Sequence, residues 1–132
     1  MTEVAAGVVL NVEKRILLCQ RQGELNGLWE FPGGKREAGE SFAQCLAREL
    51  WEELRLAVTV ERELCRMHYR GEGKEILFSF LCAKTTQGSA LELLVHSGAQ
   101  WVAAENVSQY SLCPADAQFV REGGLKALAI RY

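Results

Sequence analysis

The sequence lacks the features that mark several classes of protein. Its cysteines are spread singly, with no C-x-x-C pair and an odd total, which argues against a disulfide framework or a structural zinc site. They fit small apolar side chains in a reducing compartment. The N-terminus has no basic segment ahead of an apolar one, and no apolar run approaches the roughly 18 residues of a membrane span. The sequence therefore predicts a cytoplasmic protein without a signal peptide or a membrane partner.

The charge balance does not favour binding to a polyanion. Lys and Arg total 15 against 17 Asp and Glu, the net charge is −2, and the basic residues are scattered rather than clustered. This argues against a nucleic-acid duplex or an acidic membrane as the main partner. A small charged ligand stays compatible, because a local site can be basic in a nearly neutral protein. At 132 residues and 48% hydrophobic composition, we expect one domain over residues 1–132.

The apolar pattern predicts strands with helices before and after them. The run Ile76–Cys82 is apolar on both faces, which is typical of a central strand. Pro32-Gly33-Gly34 is expected to break regular structure. A last helix, interrupted near Gly123-Gly124, is expected over Pro114–Leu128. The expected extended segments are Val4–Val12 paired with Ile16–Gln20 as a hairpin, Leu28–Phe31, Ala57–Tyr69, Glu75–Ala83 and Gln100–Ala103. Together these elements indicate an α/β sandwich around a mixed sheet.

The segment that starts at Ser41 carries the strongest helix signal. Ser41-Phe42-Ala43-Gln44 has the S-x-x-Q form of a capping box, and an apolar stripe of helical spacing follows it. Glu49, Glu52 and Glu53 fall within an arc of about 100° beside that stripe. Arg48 precedes Glu52 by one turn and can hold its carboxylate. Two interpretations stay open at this point: a solvated acidic face, or oxygen ligands for a hard divalent cation.

The residues upstream of the glutamates complete a long pattern with fixed gaps. From Gly34 to Leu56 the chain reads GKREAGESFAQCLARELWEELRL, which resembles the Nudix box, G-x5-E-x7-R-E-U-x-E-E-x-G-U, where U is a large apolar residue. The preceding GLWEFPGG and the later LCPADAQFV are also similar to MutT-like members of that family. One position departs, since Arg55 stands where the family has glycine. That glycine would close the helix in a left-handed conformation, so we expect tolerable strain or a different helix exit.

The resemblance implies a Nudix-type α/β/α sandwich around a mixed β-sheet and an enzyme that uses Mg²⁺ or Mn²⁺. Nudix enzymes hydrolyse a nucleoside diphosphate linked to another group, by attack of water at phosphorus. Carried over to this chain, the metal ligands would be the Gly33 carbonyl and Glu49, Glu52 and Glu53. Glu49 and Glu52 would also serve catalysis, Arg48 would orient Glu52, and Gly34 and Glu40 would support the loop.

MutT-like members carry a further loop glutamate six residues before a tryptophan like Trp101, where this chain has Val95. Glu92 or His96 could replace that glutamate, or both could be ordinary loop residues. The resemblance also implies that Arg21 and Asp116 contact the nucleotide. Phe31 could offer its backbone and ring edge to the base, or its side chain could instead pack in the core. An ionised Asp116 would accept a hydrogen bond from an amino group of the base, whereas a protonated one would donate to a carbonyl. Alternatively, Asp116 only favours the start of its helix.

The expected function is Mg²⁺-dependent hydrolysis of a nucleoside triphosphate, an oxidised purine or a pyrimidine one, to the monophosphate and pyrophosphate. Such a reaction would belong to nucleotide-pool sanitation and DNA repair. Two alternatives stay open: another nucleoside diphosphate derivative as the substrate, or a Nudix-fold module that binds a nucleotide without turnover. The family resemblance is compatible with a monomer or a homodimer.

Overall fold

The computed structural model describes residues 1–87 and 91–129, and the strands in this part form a mixed sheet. The strands are β1 (Thr2–Leu10), β2 (Ile16–Arg21), β3 (Trp29–Glu30), β4 (Gly33–Lys35), β5 (Thr59–Gly71), β6 (Lys74–Lys84) and β7 (His96–Val102). Their order is β3-β2-β1-β6-β5, with β4 paired to β1 and β7 paired to β2. The β1–β6 pair is parallel and the other pairs are antiparallel. The helices are α1 (Phe42–Leu54), a 3-10 helix (Ala104–Gln109), α2 (Pro114–Arg121) and α3 (Lys126–Ala129).

Both faces of the sheet are covered by helices. Strand β1 alternates between the faces, with Ala5 and Val9 in the cluster under α1 and Val8 in the cluster under α2 and α3. From α1 the side chains Cys45, Leu46, Leu50 and Leu54 are buried on the first face, and Phe119 of α2 is buried on the second. The expected α/β/α sandwich around a mixed sheet is therefore confirmed. None of the described helices has the length and apolar character that a membrane crossing needs.

Strand β6 occupies the central position that its two apolar faces predict. It lies between β1 and β5, and its residues Ser79–Ala83 are buried. A tight turn at Glu72-Gly73 joins β5 to β6, and both turn residues have positive φ, 51° and 74°. Such angles are those of the two-residue turns that connect hairpin strands. The predicted pair of strands around this turn is confirmed.

Helix α1 begins with the capping box that the sequence predicts. The Ser41 hydroxyl accepts the Gln44 backbone N–H at 3.0 Å, and the Gln44 side chain accepts the Ser41 N–H at 2.9 Å. The helix ends at Arg55, whose φ of 52° and ψ of 38° are left-handed. The Leu56 N–H donates to the Leu50 carbonyl at 3.3 Å, as it would after a glycine cap. Arg55 thus keeps the helix exit of the family's glycine.

Two expectations about the strands are wrong. Gly33–Lys35 forms β4 against Val4–Ala6 of β1, where the sequence predicts a break in regular structure. A Cβ on Gly33 would overlap the Ala5 carbonyl, so the glycine permits a close strand pairing rather than a turn. Strand β7 begins at His96, ahead of the expected Gln100, because its pairing with β2 extends to Arg21.

Candidate active site

A cleft of about 520 Å³ runs between the two helical layers and is lined by β1, the β2–β4 segment, the β5–β6 hairpin and the starts of β7 and α2. Its glycine end contains Gly33, Gly34 and Glu53, and its aspartate end contains Phe31 and Asp116. Arg21 also lines the cleft. The remaining predicted site residues are grouped next to Gly34 and Lys35 at the glycine end: Glu40, Arg48, Glu49 and Glu52.

Arg48 is the centre of the group beside the glycine end. Its Nε and Nη2 donate to both oxygens of Glu40, at 3.0 and 2.7 Å, and Nη2 also donates to the Lys35 carbonyl at 3.1 Å. Its Nη1 donates to Glu49 Oε1 and Glu52 Oε1, each at 3.0 Å. One guanidinium therefore joins the loop before α1 to two glutamates of α1. The hydrogen bonds from Arg48 hold the pKa of Glu40 down at about 2.

Glu40 also orders the loop that leads into α1. Its Oε1 accepts the Glu37 backbone N–H at 2.8 Å, and its backbone carbonyl accepts Arg36 Nη1 at 2.9 Å. A Cβ on Gly34 would overlap the Glu49 carboxyl group, so a larger residue would displace that carboxylate from its place beside β4. These contacts bring Gly34, Glu40, Arg48 and Glu49 into one network.

Glu53 lies deeper in the cleft than the other two glutamates. Burial, followed by the neighbouring Glu49, raises the pKa of Glu53 to about 8. Its Oε1 is buried and has no hydrogen-bond partner in the part of the chain that the structure describes. A buried carboxyl oxygen without a donor favours the protonated form, unless a cation comes to lie beside it.

The residues at the glycine end fit a hard divalent cation by their donor chemistry. Glu49, Glu52, Glu53 and the backbone of Gly33 offer only oxygen, the donor atom that Mg²⁺ prefers. The Glu53 oxygen that lacks a hydrogen bond among the described residues also fits a cation site. In the part of the chain that the structure describes, however, no three acidic, histidine or cysteine side chains converge as a finished ligand set. Arg48 takes up one oxygen each of Glu49 and Glu52.

Asp116 lines the aspartate end of the cleft. Its side chain is buried, with the residue 5% exposed, and its Oδ1 accepts the Phe31 backbone N–H at 3.2 Å. Burial, together with the charge of Glu30, raises the pKa of Asp116 to about 8. A raised pKa favours the protonated form of Asp116, which can donate a hydrogen bond.

One wall of the cleft is apolar, and the sequence alone does not reveal it. Tyr69, Ile76 and Phe78 line it from the β5–β6 hairpin. The Phe78 ring stacks on Phe80, with ring centroids 5.4 Å apart, and so joins the cleft wall to the core. Alternating apolar residues are visible in the sequence, but only the fold shows which of them face the cleft.

Glu30 is a further cleft residue that the sequence alone does not single out, although the quoted GLWEFPGG contains it. Its carboxylate accepts Arg21 Nη1 at 3.0 Å and contacts His96 Nε2 at 2.8 Å.

His96 and Val95 line the cleft, and Val95 is 49% exposed. Glu92 instead pairs with Arg55 at 3.9 Å on the outer surface. Of the two candidates for the missing loop carboxylate, only His96 lies at the cleft.

Comparisons with known proteins identify the family of the chain. Residues 1–123 match the NUDIX domain. The chain is 38% identical over 118 residues to the CTP pyrophosphohydrolase of Escherichia coli strain K12, covering 88% of this chain and 86% of that protein. It is 34% identical over 122 residues to the 8-oxo-dGTP diphosphatase of Haemophilus influenzae, covering 89% and 88%.

Among solved structures, the solution structure of the E. coli ORF135 protein superposes with a TM-score of 0.78 at 34% identity, covering 97% of this chain and 92% of that one. The family match spans nearly all of the chain, and both named relatives are enzymes that act on nucleotides. The chain belongs to the Nudix family and is a Nudix hydrolase.

Proposed function

We propose that the protein hydrolyses a nucleoside triphosphate, either an oxidised purine or a pyrimidine one, to the nucleoside monophosphate and pyrophosphate with Mg²⁺ or Mn²⁺. The observation that carries the proposal is the Arg48-centred carboxylate network at the glycine end of a cleft whose other end holds Asp116. The names of the relatives, a CTP pyrophosphohydrolase and an 8-oxo-dGTP diphosphatase, support these two substrate classes.

At the glycine end, Gly33, Glu49, Glu52 and Glu53 would hold the cation. When bound, a divalent cation polarises the phosphate and lowers the pKa of a nearby water. Arg48 and Glu40 keep Glu49 and Glu52 in place, so these carboxylates are ordered before substrate arrives. Glu49 and Glu52 are the proposed catalytic residues, because they border the end of the cleft where the phosphates would bind.

At the aspartate end, Asp116 and the apolar wall would receive the base. A protonated Asp116 donates a hydrogen bond, which suits a carbonyl of an oxidised purine or of a pyrimidine ring. Tyr69 and Phe78 offer aromatic surface beside it. Arg21, at the rim of the cleft, is the proposed contact for the sugar or phosphate part of the nucleotide.

The test is a hydrolysis assay on a panel of canonical and oxidised nucleoside triphosphates with Mg²⁺, in which pyrophosphate is measured. We expect turnover of at least one member and a loss of about 100-fold or more in Glu52→Gln. Glu122→Gln, a matched substitution at the exposed end of α2, should keep full activity. Turnover of nucleotide sugars or dinucleoside polyphosphates alone would overturn the triphosphate proposal. Full activity in Glu52→Gln would overturn the assignment of the glycine end.

A further inference from the structure

Three charged or polar side chains on three adjacent strands form a cluster on the wall of the cleft. Arg21 of β2 donates to one oxygen of Glu30 on β3, and His96 of β7 contacts the other oxygen. The Glu30 side chain is 18% exposed and the His96 side chain 4% exposed. The Nudix box contains none of the three residues.

The pairing of the strands explains why they meet. Arg21 lies opposite His96 in the β2–β7 ladder, next to a register shift between Gln20 and Arg21. Glu30 lies opposite Cys19, which is buried on the α1 face of the sheet. Directly opposed residues point to the same face, so Glu30 is directed to the side on which α1 carries Glu53.

The cluster serves poorly as a structural device alone. Burying a carboxylate and an imidazole costs desolvation energy, and apolar side chains could fill the same space. Among residues 1–87 and 91–129, the buried Nδ1 of His96 has no hydrogen-bond partner, and the ring makes its hydrogen bond to Glu30. An arrangement that gives up one polar atom to hold one carboxylate indicates that the position of this carboxylate matters.

Glu30 lines the cleft together with Glu53 and Asp116. Its charge contributes to the raised pKa values of both Glu53 at the glycine end and Asp116 at the aspartate end. A carboxylate has about four lone-pair sites. The contacts to Arg21 and His96 take two of them, so Glu30 can still accept hydrogen bonds from a ligand.

We propose that His96 is a positioning residue that fixes Glu30 so that its carboxylate accepts hydrogen bonds from N–H or O–H groups of the nucleoside part of the substrate. The inference rests on the proposed function. His96 acts through Glu30 on substrate binding and does not act on phosphorus. It therefore does not take over the role of the loop glutamate whose position Val95 occupies.

The experiment compares His96→Leu, His96→Gln, Glu30→Gln and the double variant His96→Leu/Glu30→Gln. A Gln amide at position 96 can still donate to Glu30, whereas Leu cannot. We expect His96→Leu to raise KM about tenfold with little change in kcat, because binding common to ground and transition states is lost. His96→Gln should stay within about threefold of the wild type. In the Glu30→Gln background, the Leu substitution should add no further loss.

The matched control is His68→Leu, since His68 pairs with Glu75 at 3.2 Å on the exposed side of β5. It should leave KM unchanged. A purely structural role for His96 would lower the active fraction, and therefore kcat, without raising KM. That result, or additive effects of the Leu substitution and Glu30→Gln on KM, would overturn the proposal. If His96→Leu fails to fold, His96→Asn, whose amide is too short to reach Glu30, takes its place with the same expectation.

Failure of the proposed function looks different. In that case the wild type hydrolyses no nucleoside triphosphate, and the same variants are compared by the calorimetric Kd for the nucleotide without turnover. A tenfold weaker Kd in His96→Leu, absent in the Glu30→Gln background, would support the positioning role. Equal Kd values in the wild type and His96→Leu would overturn it.

Discussion

At the scale of single residues, Arg48 makes more of the contacts that organise the site than any one glutamate does. Its guanidinium contacts Glu40, Glu49, Glu52 and the Lys35 carbonyl at the same time. Only a planar fork with several donors can reach four acceptors in different directions. A lysine would keep the positive charge but would contact one or two of them. The geometry of the carboxylates therefore depends on the shape of Arg48 and not merely on its charge.

We expect Arg48→Lys to lower kcat by about 10- to 100-fold, the usual cost of losing a residue that orients the ligands of a metal site. The thermal midpoint should change less than kcat, because lysine keeps the positive charge beside the carboxylates. The measurement is steady-state kinetics together with a thermal melt. Arg66→Lys is the matched control, since Arg66 pairs with Glu63 on the exposed side of β5. Activity of Arg48→Lys within threefold of the wild type would contradict this account of Arg48.

The buried Asp116 makes the stability of the protein depend on pH. Its pKa is about 8 in the folded protein against an ordinary value of 3.8, so between these values the folded chain keeps a proton that the unfolded chain has lost. The free energy of unfolding contributed by Asp116 is therefore full at low pH and falls as the pH rises toward 8.

Asp116→Asn removes this dependence while keeping an oxygen for the Phe31 N–H. We expect the thermal midpoint of the variant, relative to the wild type, to rise between pH 5 and pH 8 in the presence of a chelator. Glu105→Gln, at an exposed carboxylate of the 3-10 helix, should show no such trend. A constant difference between Asp116→Asn and the wild type across this range would mean that Asp116 is ionised throughout.

At the scale of elements, the end of α1 shows how the chain tolerates an unusual residue. Arg55 takes the left-handed conformation of a glycine cap, which costs a residue with a Cβ about 1–2 kcal/mol. Part of this cost is offset, because Nη1 donates to the Trp51 carbonyl at 3.1 Å and the guanidinium lies 5.5 Å from the centre of the Trp51 ring. The strain and these contacts can be separated by comparing two substitutions.

Arg55→Ala loses the contacts and keeps the strain, whereas Arg55→Gly loses both. We expect the glycine variant to be more stable than the alanine variant by about 1 kcal/mol, with the wild type between them. Urea unfolding at constant m-value is the measurement. An alanine variant as stable as the glycine variant would show that the helix exit is not strained.

The elements also show which features a sequence can predict. The Ser41 capping box and the Arg48–Glu52 pair lie within one helix, so their spacing alone places them together. The β4 strand and the Glu30–His96 contact depend on which strands pair, over separations along the chain that no local pattern records. The prediction of a break at Gly33 is wrong for the same reason. In a sequence, a glycine that permits close strand pairing cannot be distinguished from a glycine in a turn.

At the scale of the whole molecule, the sandwich brings acidic groups from opposite helical layers to one cleft. α1 supplies Glu53 from one face of the sheet and α2 supplies Asp116 from the other, with β3 and β4 between them. Both carboxyls have raised pKa values, so their protonated forms limit the negative charge in the cleft. A cation at the glycine end would neutralise the carboxylates there directly, in place of protons. Metal binding is therefore expected to affect the stability of the whole fold.

We therefore expect Mg²⁺ to raise the thermal midpoint of the wild type, and a nucleotide added with Mg²⁺ to raise it further. A ligand at about 100 times its Kd adds roughly 2.7 kcal/mol, which for a chain of this size is a shift on the order of 10 °C. Glu53→Gln should lose most of the shift due to Mg²⁺, because its buried oxygen is the one that a cation would satisfy. Glu122→Gln, a matched change at the end of α2, should keep it. An unchanged shift due to Mg²⁺ in Glu53→Gln would place the cation elsewhere in the molecule, and the proposed ligand set would then be wrong.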